Sequence, residues 1–246
     1  MAPRNDRPTR TPVVLSWSGG KDSSLTLAAL RADPSLDVVA LLTSVTREYD
    51  RISIHGVRRA LLEAQATAVN LPVVEIVLEP QCTNAAYEAA FHDALGRIRR
   101  VYTGVRHIAF GDLFLEDVRA YRERLLDGTG FTPLFPLWGL DTTRLAAQFV
   151  DDGFRAHLVA VDTTQLDAAF AGRAFDHELL GNLPSSVDPC GERGEFHTFV
   201  SDGPIFDRPI PVELGEVVLR DERFAFCDLL PSTDLRAGAL QRLEKP

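Results

Sequence analysis

The sequence predicts an α/β protein: a parallel sheet with helices on both faces, followed by a smaller C-terminal domain of mixed α+β character. Three observations predict it. Short apolar runs alternate with stretches of helical periodicity through the first half, joined by short connections. A Gly-Gly turn lies between the first apolar run and the first helix. After about Phe135-Pro136-Leu137-Trp138 the alternation gives way to turn-rich chain with short β-like stretches.

Pro12 to Leu15 is the first strand, and Leu25, Leu27, Ala28 and Leu30 mark the first helix. Val38 to Thr43 is a buried second strand. Ile54, Val57, Leu61, Ala64 and Ala68 line the inner face of a helix that stops at Asn70, before Pro72. Val73 to Leu78 is the third strand. Tyr87, Phe91, Ala94, Leu95, Ile98 and Tyr102 form the next amphipathic face. His107 to Phe110 is a fourth strand ending at Gly111-Asp112, and the helix after it carries Val118, Tyr121 and Leu125. In the second part, Asp141 and Thr142 cap a helix with Leu145 and Phe149 inside, ending at Gly153. Extended chain follows at Ala156 to Val161, Glu216 to Leu219 and Phe224 to Phe226. The expected division is a disordered tail at 1–11, a nucleotide-binding domain at 12–138 and a substrate domain at 139–246.

Ser16-Trp17-Ser18-Gly19-Gly20-Lys21-Asp22-Ser23 carries the strongest chemical signal. Paired glycines allow positive φ and bring successive N–H groups close to an anion. The helix behind them adds unpaired N–H groups and the positive end of its dipole. Lys21 supplies charge; Ser18 and Ser23 supply hydroxyls. A polyphosphate suits such a turn. Asp22 after the lysine separates it from the G-x-x-x-x-G-K-[ST] loop.

Two further clusters stand out. Asp112, Glu116 and Asp117 follow the fourth strand, where open α/β sheets place ligands. Asp112 is a candidate Mg²⁺ ligand, or else a cap for the next helix. Glu116 and Asp117 suit the first-turn dipole. The second cluster is Asp188-Pro189-Cys190-Gly191-Glu192-Arg193-Gly194-Glu195-Phe196-His197-Thr198, a loop dense in acids, bases and anion binders. Glu192, Glu195 and His197 are its candidate catalytic residues, beside Lys21 and Asp112. Zinc is poorly supported, because the spacing lacks Cys-x-x-Cys or His-x-x-x-His pairs. No neighbour in sequence obviously activates Cys190.

Composition sets limits. The 246 residues are 45% apolar, enough for a sizeable core, and carry a net charge of −9. That charge argues against nucleic acid, since only short arginine clusters occur, at Arg97–Arg100 and Arg119–Arg124. Met1 to Thr11 holds three arginines, two prolines and no apolar stretch, unlike a signal peptide. Three dispersed cysteines, Cys82, Cys190 and Cys227, argue against a disulfide framework and for the cytoplasm. No run is long enough to span a membrane.

The Ser18-Gly19-Gly20-Lys21-Asp22-Ser23 string resembles the PP-loop of the ATP pyrophosphatase superfamily. His55, Leu71-Pro72, Phe110-Gly111-Asp112, Pro136-Leu137-Trp138, Gly153-Phe154, Gly172-Arg173 and Cys190 to Thr198 resemble, in order, the diphthine–ammonia ligase family and its bacterial relatives. The resemblance implies a HUP-type, Rossmann-like domain and then a substrate domain. It implies ATP with Mg²⁺, nucleotide contacts from Ser16, Ser18, Gly19, Gly20, Lys21, Asp22, Ser23, Thr43 and Gly111, and Lys21, Asp112, Glu192, Glu195 and His197 as catalytic. The implied reaction adenylates a carboxylate, small or protein-borne, and then transfers ammonia. A homodimer is compatible. The alternatives are an adenine nucleotide α-hydrolase, an ATP-binding sensor and a tRNA sulfur-transfer enzyme.

Overall fold

The computed structural model describes residues 10–46 and 56–232, together with the backbone of 51–52. His55, Ile54 and most of the expected N-terminal tail lie outside the described residues. In chain order the first part comprises β1 (Thr11–Ser16), α1 (Lys21–Ala32), β2 (Leu36–Thr46), β3 (Arg51–Ile52), α2 (Arg59–Ala68) and β4 (Val73–Leu78). It continues with α3 (Asn84–Val101), β5 (His107–Ala109), α4 (Glu116–Leu126) and β6 (Thr132–Leu134).

Five of these strands pair in parallel in the order β4-β2-β1-β5-β6, and the short β3 runs antiparallel to the end of β2. Side-chain alternation shows why the sheet is buried on both sides. Val13 and Leu15 of β1, Leu41 of β2 and Ala109 of β5 join one core, with Leu27 and Leu30 of α1 and Leu61 and Leu62 of α2. Val14, Ala40, Leu42 and Ile108 join the other, with Phe91, Leu95 and Ile98 of α3 and Leu125 of α4. Strand order reverses beside β1, between β2 and β5. The turns after β1 and β5 therefore open a crevice at the carboxyl ends of the strands.

The second part comprises α5 (Thr142–Asp151), β7 (Arg155–Asp162), α6 (His177–Asn182), β8 (Phe196–Asp202), β9 (Val212–Arg220) and β10 (Phe224–Pro231). Its strands form an antiparallel sheet in the order β8-β7-β10-β9. The α1/α2 core runs on without interruption into Phe149, Phe154, Leu158, Val161 and Phe199. Backbone bonds cross the same junction: Val200 N donates to Gly19 O at 2.9 Å, and Asp207 N to Ala68 O at 2.7 Å.

Four sequence expectations are corrected. Thr11 belongs to β1 rather than to a tail, because its N–H donates to Ser35 O at 2.7 Å. α2 begins at Arg59, after Val57. β6 was not foreseen; Pro133 suppresses the strand signal, yet among the described residues β6 pairs only with β5, as a sheet edge allows. The polar segment ending at Thr198 is a loop only as far as Glu195, and Phe196 opens β8.

A buried charge ties β7 to the β9–β10 hairpin. Asp162 accepts from Arg223 Nε at 3.1 Å and Nη2 at 2.6 Å, and from the Thr164 hydroxyl at 2.7 Å. Arg223 holds this carboxyl well below the usual range. Arg223→Ala leaves a buried carboxylate without its counter-ion. It is expected to lower the midpoint of denaturant unfolding, by an amount moderated by the solvent exposure of Arg223; a change within error would show that Thr164 and Gln165 suffice.

Candidate active site

The crevice predicted by the strand order is a cleft of about 880 Å³, at the upper end of the roughly 300–1,000 Å³ seen for small-molecule sites. Of the residues the sequence singled out, Ser16, Ser18, Gly20, Asp22, Ser23, Thr43, Gly111, Asp112, Glu192 and His197 line it. Asp117 and Cys190 do so as well. Gly19, Lys21 and Glu195 do not.

The glycine turn is built by close approach. Gly19 has φ of 78°, and a Cβ there would stand 2.5 Å from Gln65 Oε1. Gln65 is fully buried: its Oε1 accepts from the Trp17 indole at 3.1 Å, and its amide donates to Gly19 O at 2.9 Å and Val200 O at 2.7 Å. One side chain thus braces the turn against α2 and β8 together. Sequence reading missed it, although a glutamine on the apolar face of Leu61 and Ala68 is an available signal. Thr43 pins the other side, its hydroxyl donating to Trp17 O. Gly111 is also close-packed, since a Cβ there would meet Thr26 Oγ1 at 3.0 Å and the Asp22 backbone at 3.1 Å.

The N–H groups at the turn are not all available. Gly20 N donates to Ser18 Oγ at 3.3 Å and Lys21 N to Thr198 Oγ1 at 2.9 Å. The amides of Asp22 and Ser23 fall in the first turn of α1, which offers them no intrahelical acceptor. These two are the anion donors the turn presents, beside the Ser18 hydroxyl, which here donates to Ser23 Oγ at 3.3 Å.

Lys21 departs from expectation. Its side chain is folded beneath the turn, 1% exposed, with Nζ paired to Asp22 and 6.0 Å from the Phe175 ring centroid. Burial works against its charge, but Asp22 and then Cys190 raise its pKa overall. Burial pushes the Cys190 thiol up to about 12 despite Lys21, so the thiol is neutral and not an activated nucleophile.

Asp112 does not cap α4, whose N-cap is Leu115. Its carboxylate sits 3.5 Å from Arg122 Nε, and Oδ2 is buried without a hydrogen bond. Burial raises its pKa, with Arg122 opposing and Asp22 adding. Glu192 crosses from the second part of the chain to the end of β5, accepting from Leu113 N at 2.8 Å. Burial is the main reason its carboxyl is pushed up to about 7; Asp22 and Asp112 add to it, and the Leu113 N–H opposes. His197 on β8 is pushed down by burial, with Asp22 pulling the other way, so it is a neutral imidazole at pH 7.

Glu195 is 1% exposed, and both oxygens are taken by the loop itself: Asp188 N donates to Oε1 at 2.8 Å and Arg193 N to Oε2 at 2.9 Å. Asp188 accepts from Cys190 N at 2.9 Å and from the Thr142 hydroxyl at 2.7 Å. These two carboxylates shape the loop that presents Glu192. Among the described residues no three His, Cys, Asp or Glu side chains converge as a metal site, and no helix is long and apolar enough to cross a membrane.

The family model described as the diphthamide synthase N-terminal domain matches residues 11–133, half of the chain. That of the diphthamide synthase C-terminal domain matches 141–229. A diphthine–ammonia ligase of Danio rerio is 26% identical over 233 residues, 87% of this chain and 91% of that protein. One of Schizosaccharomyces pombe is 27% identical over 218 residues, 82% of this chain but 36% of that protein. One of Homo sapiens is 28% identical over 120 residues, 47% of this chain and 45% of that protein. The chain thus spans most of the first relative and under half of the other two. With both domain signatures matched in order, on either side of a cleft built from both, this chain belongs to the diphthamide synthase family.

Proposed function

We propose that the protein is an ATP-dependent amide ligase that adenylates a carboxylate and then passes the acyl group to ammonia. The observation that carries this reading is Glu192: a carboxyl titrating at about 7, held by the second part of the chain against the end of β5 in the cleft that the glycine turn also lines. The diphthine–ammonia ligase names of the relatives support the same class of reaction.

In the first step a carboxylate oxygen of the acceptor attacks the α-phosphorus of ATP, the α–β bridge breaks and pyrophosphate leaves. The Asp22 and Ser23 amides and the Ser18 hydroxyl stabilise charge growing on the leaving group. Lys21, beneath the turn, holds Asp22 toward the cleft. In the second step ammonia attacks the acyl carbon, AMP departs with the bonding pair, and Glu192 takes the surplus proton from nitrogen. Neutral His197 lines the same cleft and would orient the reactants by hydrogen bonding.

The residues present fit Mg²⁺. Asp22, Asp112 and Glu192 repel one another across the cleft, and the buried Asp112 Oδ2 has only a long contact, 3.5 Å to Arg122 Nε, against it. Such a lining admits a polyphosphate more readily with a cation, and Mg²⁺ uses one or two carboxylates plus phosphate oxygens. Asp22 and Asp112 would hold it. When bound it neutralises charge on the phosphates.

Hydroxylamine in place of ammonia tests the acyl transfer. With ATP and Mg²⁺, the protein is offered a diphthine-bearing protein in one arm and a metabolite extract in the other. A hydroxamate in either arm, with one AMP per hydroxamate, supports the ligase and identifies the acceptor class. AMP formed equally without any acceptor would instead identify an α-hydrolase.

A further inference from the structure

The outer edge of the second sheet is built unlike the rest of the molecule. β9 has β10 on one side and, among the described residues, no strand on the other. Leu214, Val217 and Leu219 are 55%, 47% and 57% exposed. An uncovered apolar edge of this length is a template for another strand.

The pairing with β10 shows which way these side chains face. Leu214, Val217 and Leu219 stand opposite Leu229, Cys227 and Ala225, all buried, so they lie on the core-side face of the sheet. Simple alternation would send Leu214 and Val217 to opposite faces. A bulge in β9 between them restores the common face. Glu213, Val218 and Arg220 stand opposite Leu230, Phe226 and Phe224 on the other face, and the Arg220 guanidinium lies 5.7 Å from the Phe226 ring centroid, in agreement.

We propose that β9 pairs antiparallel with β9 of a second copy of this chain, joining the two sheets across a two-fold axis. An axis normal to the sheet keeps each face with itself, so residues opposed across it must share a face within their own strand. At its outer pairs one register meets this condition with matched chemistry. It sets Leu214 against Leu219 of the second copy on the core side, and Glu213 against Arg220 of the second copy on the other, each contact occurring twice. Leu214 and Leu219 are five residues apart, so an unbulged strand would not allow this register. The bulge makes the edge self-complementary rather than merely sticky.

Sedimentation equilibrium of the full chain tests this over a wide concentration range. The mass is expected to rise from 27.1 kDa toward twice that value. Glu213→Arg and Arg220→Glu each set like charges opposite one another and are expected to stay monomeric, with the wild-type circular-dichroism spectrum retained and a melting temperature that no longer depends on protein concentration. Mixing the two single variants restores both ion pairs and is expected to give a mixed dimer. A wild type that stays monomeric throughout overturns the proposal. So does a dimer that survives both single reversals, since the contact would then lie elsewhere.

Discussion

Glu192→Gln is expected to slow ammonia-dependent AMP release by about 10²- to 10⁴-fold, the usual contribution of a positioned general base. The amide keeps an oxygen for the Leu113 N–H, so ATP affinity should change little and the loss should fall on kcat. In the wild type Glu192 must be ionised to accept a proton, and its carboxyl titrates at about 7. Turnover expressed against free ammonia is therefore expected to rise with pH up to about 7 and level above it. The variant should lack that limb. The same shift makes ionisation costly to the fold. A carboxyl raised from 4.5 to about 7 contributes stability below pH 4.5 that is lost as pH rises through about 7. The variant is thus expected to be at least as stable as wild type at pH 8, which separates lost chemistry from lost folding. An unchanged pH profile would remove Glu192 from the reaction.

Gly19→Ala is expected to weaken ATP binding at least tenfold, measured by calorimetry with a non-hydrolysable analogue. Left-handed backbone costs an L-residue roughly 1–2 kcal/mol, and here the added Cβ also collides with Gln65 Oε1 at 2.5 Å. Gln65 cannot yield cheaply, because it already bonds Trp17, Gly19 and Val200. The turn must then move, and the Asp22 and Ser23 amides with it. Gly104→Ala is the control: φ there is 86°, but a Cβ would meet no atom within 4 Å. It should cost backbone strain alone and leave ATP affinity unaltered. Equal losses in both variants would show that the turn needs only stability, not its particular shape.

Much of the fold was legible because local pattern and burial agree. Val73 to Leu78 was read to the residue, since a short apolar run between Pro72 and a polar turn has few other uses. Asp141 was read as a cap, and it accepts from Arg144 N at 2.8 Å. Alternation and right-handed crossovers put the carboxyl ends of the parallel strands, and with them the glycine turn, on one rim. The illegible parts depend on partners distant in sequence. Thr198 looks like loop chemistry, but it sits in a strand and accepts from Lys21 N, 177 residues away. Lys21 reads as a phosphate ligand because lysine is rarely buried; only the structure supplies Asp22 and Phe175 as its surroundings. Glu192 and Glu195 are alike in sequence, and only backbone geometry turns one toward the cleft and the other into its own loop.

The position at which ATP is cut tests the central claim most directly. Phosphorus NMR would follow ATP with Mg²⁺, ammonium and the acceptor arms described above, comparing wild type with Glu192→Gln at equal concentration. Cleavage at the α-phosphorus, with AMP and pyrophosphate appearing together in the wild type and far more slowly in the variant, is the predicted result. ADP and orthophosphate formed by the wild type would contradict it.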